Sequence, residues 1–154
     1  ALWLGRHDIA RRTVKQAGLT RFIAVCLLTG YVWLGISGLS AMWFGAVPVG
    51  PQYDATLHAF FLGFVFAMIF AHAPIIFPAV LGARMTYRPL FYAHVVLLQV
   101  TLVMRLIGDA AGWSAGRQVG GLLNAVTLLL FLVNTVSALQ SPPERAGTAQ
   151  GRGA

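Results

Sequence analysis

The amino-acid sequence predicts an all-α fold: a polytopic membrane protein with four transmembrane helices in an antiparallel bundle. Of its 154 residues, 58% are hydrophobic and only 10% are charged, a balance that is typical of polytopic membrane proteins rather than of soluble domains. The apolar residues fall into four long runs, each close to the ~20 residues that a helix needs to cross a bilayer. Short stretches rich in Pro, Gly or basic residues separate these runs. We therefore expect one compact domain in a lipid bilayer.

The chain begins with a basic segment, residues 1–21, in which apolar side chains are mixed with four Arg and one Lys. This pattern is typical of an amphipathic segment that lies on the anionic cytoplasmic surface of a membrane. The first span follows at about residues 22–44. It carries small side chains that let a neighbouring helix approach closely, namely Gly30, Gly35, Ser37, Gly38 and Ala41.

The other three spans are predicted at about residues 55–81, 90–110 and 121–139. After them, residues 140–154 form a tail whose Pro, Gly and polar side chains predict disorder. The fourth span is rich in Leu, but four of its polar side chains can bond to neighbouring helices: Asn124, Thr127, Asn134 and Thr135. Residues 22–139 are therefore expected to form the whole transmembrane domain.

The distribution of basic residues predicts the orientation of these spans. Five Lys or Arg precede the first span, two lie between the second and third, two lie in the tail, and only Arg117 lies in a loop on the opposite side. The positive-inside bias then places both termini in the cytoplasm and the chain in the cell inner membrane. Since this topology accounts for the net charge of +7, we expect no nucleic-acid partner.

Three histidines lie within the predicted spans, and two of them share one helix face. His58 and His72 are 14 residues apart, which places them within roughly 40° of each other and about 21 Å apart along a helix. His94 lies near the start of the antiparallel third span, at the depth of His72. We expect haem, or less readily copper, between the second and third helices, with His72 and His94 as metal ligands. The alternative is that both histidines only bond to neighbouring polar groups.

Two charged residues near the end of the third span form a second candidate site. Arg105 and Asp109 are four residues apart, a spacing that predicts an ion pair within one helix. Arg105 is also expected to face the bundle near His58, where its guanidinium can bind a haem propionate or another anionic group. The alternative is a structural clamp at the helix end.

Four stretches of the sequence resemble the closing helices of NnrS-like proteins: GYVWLGISGL (30–39), LHAFFLGFVFAMIFAHAPIIFPAVLG (57–82), RPLFYAH (88–94) and MRLIGD (104–109). That family comprises multispan membrane proteins that contain haem and copper, are associated with nitric-oxide metabolism and are loosely similar to the catalytic subunit of haem-copper oxidases. The resemblance covers about residues 22–139. It implies a haem-binding role, with His58 and Arg105 as the positions that match the family pattern best.

Two functions follow from these observations. The first is a membrane protein that binds haem or a metal and serves in respiratory electron transfer or in nitric-oxide or oxygen metabolism. The second is a non-catalytic accessory subunit of a larger respiratory or photosynthetic complex, whose histidines are structural or ligate a chlorin shared with a neighbouring subunit. The sequence leaves open whether the chain is an enzyme, but it carries no Gly-rich phosphate loop and no Ser/His/Asp set.

Overall fold

The computed structural model describes residues 1–45 and 49–140, and it confirms the all-α fold. Two short helices precede four long helices that pack together and are long and apolar enough to cross a membrane. The helices are α1 (Leu2–His7), α2 (Ala10–Thr13), α3 (Gly18–Phe44), α4 (Pro51–Leu81), α5 (Phe91–Ala110) and α6 (Ser114–Ala138). The predicted disordered tail lies, beyond residue 140, outside the described residues.

Aromatic contacts show that the long helices alternate in direction. Phe22 near the start of α3 packs against Phe91 at the start of α5, and Phe70 in the second half of α4 packs against Phe131 in the second half of α6. Both pairs belong to one buried cluster. We call this end of the bundle the inner end and the opposite end the outer end.

The four predicted spans are present, and three of them begin earlier than the sequence suggested. The largest difference concerns α6, which begins at Ser114 rather than near residue 121, so the loop before it contains only three residues. Small and polar residues had favoured a loop there. In the structure, Gly116 packs against the indole of Trp113, and a Cβ atom at Gly120 would lie 3.0 Å from Cα of Arg105. The glycines therefore serve close helix packing rather than a turn.

Helix α4 contains a π-helical segment at Ala59–Val65 between two α-helical parts. Within it, Gly63 lies directly against the side chain of Trp33 from α3, so that no Cβ atom fits at this position. Pro74 and Pro78 lie inside the second α-helical part of α4. Because π-helical turns occur frequently at functional sites, the segment indicates α4 as a helix that contributes to a functional site.

A short antiparallel pair of strands closes the inner end. Strand β1 (Arg84–Met85) lies in the connection between α4 and α5, and it pairs with β2 (Leu139–Gln140), which directly follows α6. In addition, the backbone N–H of Thr86 donates to the carbonyl of Ala138 over 3.1 Å. These bonds hold the connection between α4 and α5 against the end of the last helix.

The N-terminal segment lies alongside α3, whereas the sequence suggested a segment on the membrane surface. The hydroxyl of Tyr31, in the middle of α3, donates to Oδ2 of Asp8 over 2.5 Å. Further along α3, a Cβ atom at Gly35 would lie 3.6 Å from Cβ of Ala1. The segment therefore runs back along α3 for about half of its length.

Candidate functional site

His94 lies in the centre of the inner end, enclosed by phenylalanine rings. It is fully buried, and its ring centroid lies 4.7 Å from that of Phe70, 5.2 Å from Phe131, 5.9 Å from Phe91 and 6.2 Å from Phe22. One of these four rings comes from each long helix. We refer to them as the phenylalanine cage. Among the described residues, neither ring nitrogen of His94 has a hydrogen-bond partner.

The phenylalanine cage follows from the positions of its rings on the helices. Phe91 is three residues before His94, so both side chains lie on the same face of α5, and the other rings meet them from the antiparallel neighbours. All four rings meet the imidazole edge to face, at interplanar angles of 74°, 79° and 80° for Phe22, Phe70 and Phe91 and of 65° for Phe131. A buried imidazole without a hydrogen bond costs about 1–3 kcal/mol. His94 is therefore a destabilising group in an otherwise apolar core.

His72 has the opposite surroundings. Its side chain is exposed on the outside of α4, and its Nδ1 lies 2.7 Å from the carbonyl oxygen of Met68, one turn earlier in the same helix. Since a carbonyl only accepts, Nδ1 is the protonated nitrogen and Nε2 keeps its lone pair. The ring contacts of His94 are all with the phenylalanine cage, so the structure does not bring His72 and His94 together.

His58 and Arg105 meet at the outer end on the carboxylate of Asp54, which was not predicted to be a site residue. Nδ1 of His58 lies 2.8 Å from the carbonyl oxygen of Asp54 and 3.3 Å from its Oδ1. Nη2 of Arg105 donates to Oδ2 of the same Asp54 over 2.6 Å. The expectation that Arg105 lies near His58 is therefore confirmed, with Asp54 as the group that joins them.

Asp109 and Arg117 complete this outer charge cluster. Nε of Arg117 lies 2.6 Å from Oδ1 of Asp109, whose side chain is 1% exposed, and Nη2 of Arg117 lies 3.8 Å from Asp54. Nη1 of Arg105 donates to the carbonyl of Arg117 over 3.1 Å. The cluster comprises Asp54, His58, Arg105, Asp109 and Arg117, and it joins α4, α5 and α6 through paired charges.

The predicted ion pair between Arg105 and Asp109 within α5 is wrong. Each residue pairs with another helix instead, Arg105 with Asp54 and Asp109 with Arg117. The close approach of α5 and α6 explains the exchange, because a Cβ atom at Gly108 would lie 2.7 Å from the backbone nitrogen of Arg117. Asp54 and Arg117 were missed because both had been assigned to helix ends or loops, where a charge is ordinary.

Between the two ends, polar side chains connect α5 with its neighbours. The hydroxyl of Thr101 donates to Oδ1 of Asn124 on α6 over 2.6 Å, and the indole N–H of Trp33 on α3 donates to Gln99. Thr127 instead donates to the carbonyl of Leu123 in its own helix. The prediction that the polar residues of the fourth span bond across helices is thus confirmed for Asn124 but not for Thr127.

The structure also bears on what these sites can hold. Among the described residues, no group of three or more His, Cys, Asp or Glu side chains is arranged to hold a metal ion. A haem propionate at Arg105 would share the guanidinium with Asp54 and with the Arg117 carbonyl, since Nη2 and Nη1 already donate to these protein oxygens, whereas the buried Nε has no partner among the described residues. Of the predicted ligands, His72 has a free nitrogen at the protein surface. Its ring therefore offers the most accessible nitrogen for a ligand.

Comparison with known families gives one match. Residues 1–140 match the family described as a domain of unknown function, DUF8744, and the chain therefore belongs to it. No curated protein and no solved structure matches the chain.

Proposed function

We propose that this member of the DUF8744 family is an inner-membrane protein that binds haem through His72, on the exposed side of α4. Its role would be respiratory electron transfer or nitric-oxide or oxygen metabolism. The observation that carries the proposal is the orientation of the His72 imidazole. Its Nδ1 is held by the Met68 carbonyl at 2.7 Å, and its ring is exposed. The NnrS-like motifs supply the class of cofactor.

The hydrogen bond from Nδ1 prepares the other nitrogen of His72 for a metal. Metal-ligating histidines usually donate one ring N–H to a carbonyl or carboxylate, which fixes the tautomer and the orientation of the ring. His72 meets this condition without any change of conformation. When bound, haem supplies one-electron transfer and the binding of diatomic gases.

The surroundings of His72 suit a flat apolar ligand. Ile69, Ile75 and Ile76 lie three or four residues away on α4, and their exposed fractions are 40%, 52% and 53%. Residues at these spacings share one helix face. Together they form an aliphatic surface around the imidazole, against which a porphyrin ring can pack.

A further residue to hold such a haem would come from outside the bundle. His94, the partner expected from the sequence, would reach a metal only if the phenylalanine cage opened, and this requires the movement of four packed rings. A partner membrane subunit that covers this face of α4 is the simpler source. The haem site and the accessory-subunit hypothesis are then two aspects of one role.

His58 is the candidate for a second cofactor. Its Nδ1 is held by the Asp54 carbonyl at 2.8 Å, so its Nε2 is oriented in the same way as that of His72. The NnrS resemblance favours this position and Arg105. Copper is the alternative cofactor at either histidine, because imidazole nitrogen also binds copper well.

The orientation in the membrane is part of the proposal. Arg21, Arg84 and Arg88 lie at the inner end, close to the starts of α3 and α5 and the end of α4. At the outer end, the guanidinium groups of Arg105 and Arg117 are paired with carboxylates. The basic residues at the inner end form no ion pair among the described residues, and they favour a cytoplasmic location for that end and for the C-terminus. Ala1, expected in the cytoplasm from the sequence, lies instead beside Gly35, part-way along α3.

A haem titration tests the ligand assignment. The chain is purified in detergent and titrated with haem, and the haem that remains bound through gel filtration is measured by its Soret absorbance. We expect His72→Ala to weaken haem binding by at least about tenfold. His94→Ala should retain the binding, since His94 is enclosed by the phenylalanine cage.

The reverse result would contradict the proposal. If His94→Ala lost the haem while His72→Ala kept it, the site would lie inside the bundle and require an open phenylalanine cage. Equal haem retention in the wild type, His72→Ala and His58→Ala would show nonspecific partitioning into the detergent. Circular dichroism of each variant checks that the helices are intact.

A further inference from the structure

A groove lies between the N-terminal segment and the outward face of α3. It is open and has a volume of about 1400 Å³. Five of the nine α3 residues that line it are spaced four and three residues apart, which is the heptad spacing of a helix that packs against another helix: Leu28, Val32, Gly35, Leu39 and Met42. The exposed fractions of Val32, Leu39 and Met42 are 61%, 68% and 83%, respectively. This face of α3 is therefore free to receive another helix.

Two glycines make the floor of the groove accessible to a helix backbone. A Cβ atom at Gly38 would meet nothing within 4 Å, and one at Gly35 would meet only Cβ of Ala1. Both glycines line the groove. Small residues at such positions let two transmembrane helices approach closely, yet no described residue of this chain makes use of Gly38.

The groove also contains cations that lie level with the middle of α3. Arg21 and Trp43 mark the two ends of the apolar part of α3 and are about 33 Å apart along the helix, close to the ~30 Å of a hydrocarbon core. Tyr31 is about 15 Å from Arg21. Because Asp8 accepts a hydrogen bond from Tyr31, the neighbouring arginines of the N-terminal segment lie at mid-membrane depth.

These arginines form no ion pair in the described part of the chain, since the oxygens of nearby Asp8 accept from the Ala10 N–H and the Tyr31 hydroxyl. Arg6 and Arg11 line the groove, and Nη1 of Arg11 donates only weakly to the carbonyl of Arg6, over 3.4 Å. All ion pairs of the described residues lie in the outer charge cluster. An arginine at the centre of a bilayer costs about 2.5–3.5 kcal/mol, so this face is not built for contact with lipid.

We propose that a transmembrane helix from outside this chain lies in the groove and carries a carboxylate at the level of Arg6 and Arg11. A second copy of the chain offers no such group among its described residues, because Asp54 and Asp109 belong to the outer charge cluster and Asp8 is bonded to Tyr31. The headgroup of an anionic lipid lies at the membrane surface, about 15 Å from this depth. A helix with an acidic residue satisfies both the apolar floor and the charge.

The test uses synthetic helices as probes. The full chain, with a fluorescent donor attached after residue 154, is reconstituted in phosphatidylcholine vesicles with a Leu-based transmembrane peptide that carries an acceptor and one central Asp. A matched peptide has Leu at the central position. We expect the Asp peptide to associate about tenfold more tightly, since a polar interaction between membrane helices contributes about 1–2 kcal/mol.

Two pairs of variants locate the interaction. The double variant Arg6→Gln/Arg11→Gln should lose the preference for the Asp peptide, whereas Arg84→Gln/Arg88→Gln removes the same charge from the inner end and should keep it. Gly38→Leu should block association because its side chain fills the groove without a clash within the chain. Ala41→Leu adds the same bulk at an exposed position outside the groove and should have no effect.

Three results would overturn the proposal. The first is equal association of the Asp and Leu peptides, and the second is an equal loss in both double-arginine variants, which would indicate general charge attraction. The third is displacement of the Asp peptide by phosphatidylglycerol at a few mole per cent, which would identify an anionic lipid as the occupant. None of these measurements depends on haem, so they stand or fall separately from the His72 site.

Discussion

His72 and His94 show how differently two imidazoles can be placed in one half of a helix bundle. His72 is exposed and has one nitrogen held by a carbonyl, whereas His94 is buried among phenyl rings with no partner for either nitrogen. Both were predicted to lie at the same depth in the membrane, because depth follows from the number of residues between each histidine and the end of its span. The sequence did not show which way each ring faces, because that depends on the rotation of α4 and α5 about their axes.

Replacement of His94 by an apolar residue is expected to stabilise the fold. His94→Leu removes two unpaired polar atoms from the phenylalanine cage, and we expect the free energy of unfolding to rise by about 1–2 kcal/mol. Reversible unfolding in mixed micelles measures the change. Thr101→Val is the comparison, since it removes a buried hydroxyl that donates to Asn124 and should lower the stability instead. A loss of stability in His94→Leu would mean that His94 has a bonded partner in the membrane.

Asp54 is expected to be the residue on which the outer charge cluster depends. Asp54→Asn leaves Arg105 and Arg117 with a neutral neighbour, and the carboxylate is 30% exposed. We therefore expect a moderate loss of about 1–2 kcal/mol of unfolding free energy, smaller than for a fully buried pair. A double-mutant cycle with Arg105→Gln should give a coupling energy clearly above zero. Additive effects of the two substitutions would refute a direct pair.

At the scale of helices, α3 and α4 meet through a contact between Trp33 and Gly63 that could not be predicted from the sequence. Gly63 and Trp33 were both visible as a small and a large residue inside apolar runs, but their contact depends on the π-helical segment Ala59–Val65. A π-helical turn has no simple residue pattern, so residue spacing alone cannot locate it. The span itself was predicted well, because length and hydropathy are sufficient for that purpose.

Substitutions of two glycines separate the effect of close helix packing on stability from the effect of glycine on helix propensity. Gly63→Ala places a methyl group against the indole of Trp33, and we expect it to destabilise the fold by about 1–3 kcal/mol. Gly38→Ala is the matched control, because no atom lies within 4 Å of its Cβ position. It should stabilise α3 by about 0.5–1 kcal/mol. Equal effects of the two substitutions would argue against the Gly63–Trp33 contact.

The start of α6 shows why the outer end was harder to predict than the inner end. The stretch from Ser114 to Gly121 has the composition of a loop, since three of its eight residues are glycines and three more, Ser114, Arg117 and Gln118, are polar. In the structure these glycines allow α6 to lie against Arg105 and Gly108 of α5. Glycine favours a turn in water but also permits close helix contact in a membrane, and sequence alone does not decide between the two.

For the whole molecule, the number of spans, their order and their alternating direction could be predicted from hydropathy and loop composition. The path of the N-terminal segment could not be predicted, because its basic and apolar residues are compatible with a position on the membrane surface as well as with packing along a helix. In the structure, the hydrogen bond between Tyr31 and Asp8 joins the segment to α3. Its effect is to bring basic residues alongside a span.

The proposed orientation is open to a direct check. A cysteine is added after residue 154 in a Cys26→Ala background, and a second variant carries Val49→Cys in the connection between α3 and α4. We expect a membrane-impermeant thiol reagent applied to intact cells to label residue 49 and not the C-terminal cysteine, because the inner end carries the unpaired basic residues. Labelling of the C-terminal cysteine alone would show the opposite orientation in the membrane.

The central claim is that His72 holds haem at the surface of the bundle. The most direct measurement is the absorbance spectrum and iron content of the protein purified in mild detergent from its native membrane, compared between the wild type and His72→Ala. We expect a Soret band and bound haem iron in the wild type, and the loss of both in His72→Ala with the helices intact. A wild-type protein without Soret absorbance or iron, or a His72→Ala variant that keeps both, would contradict it.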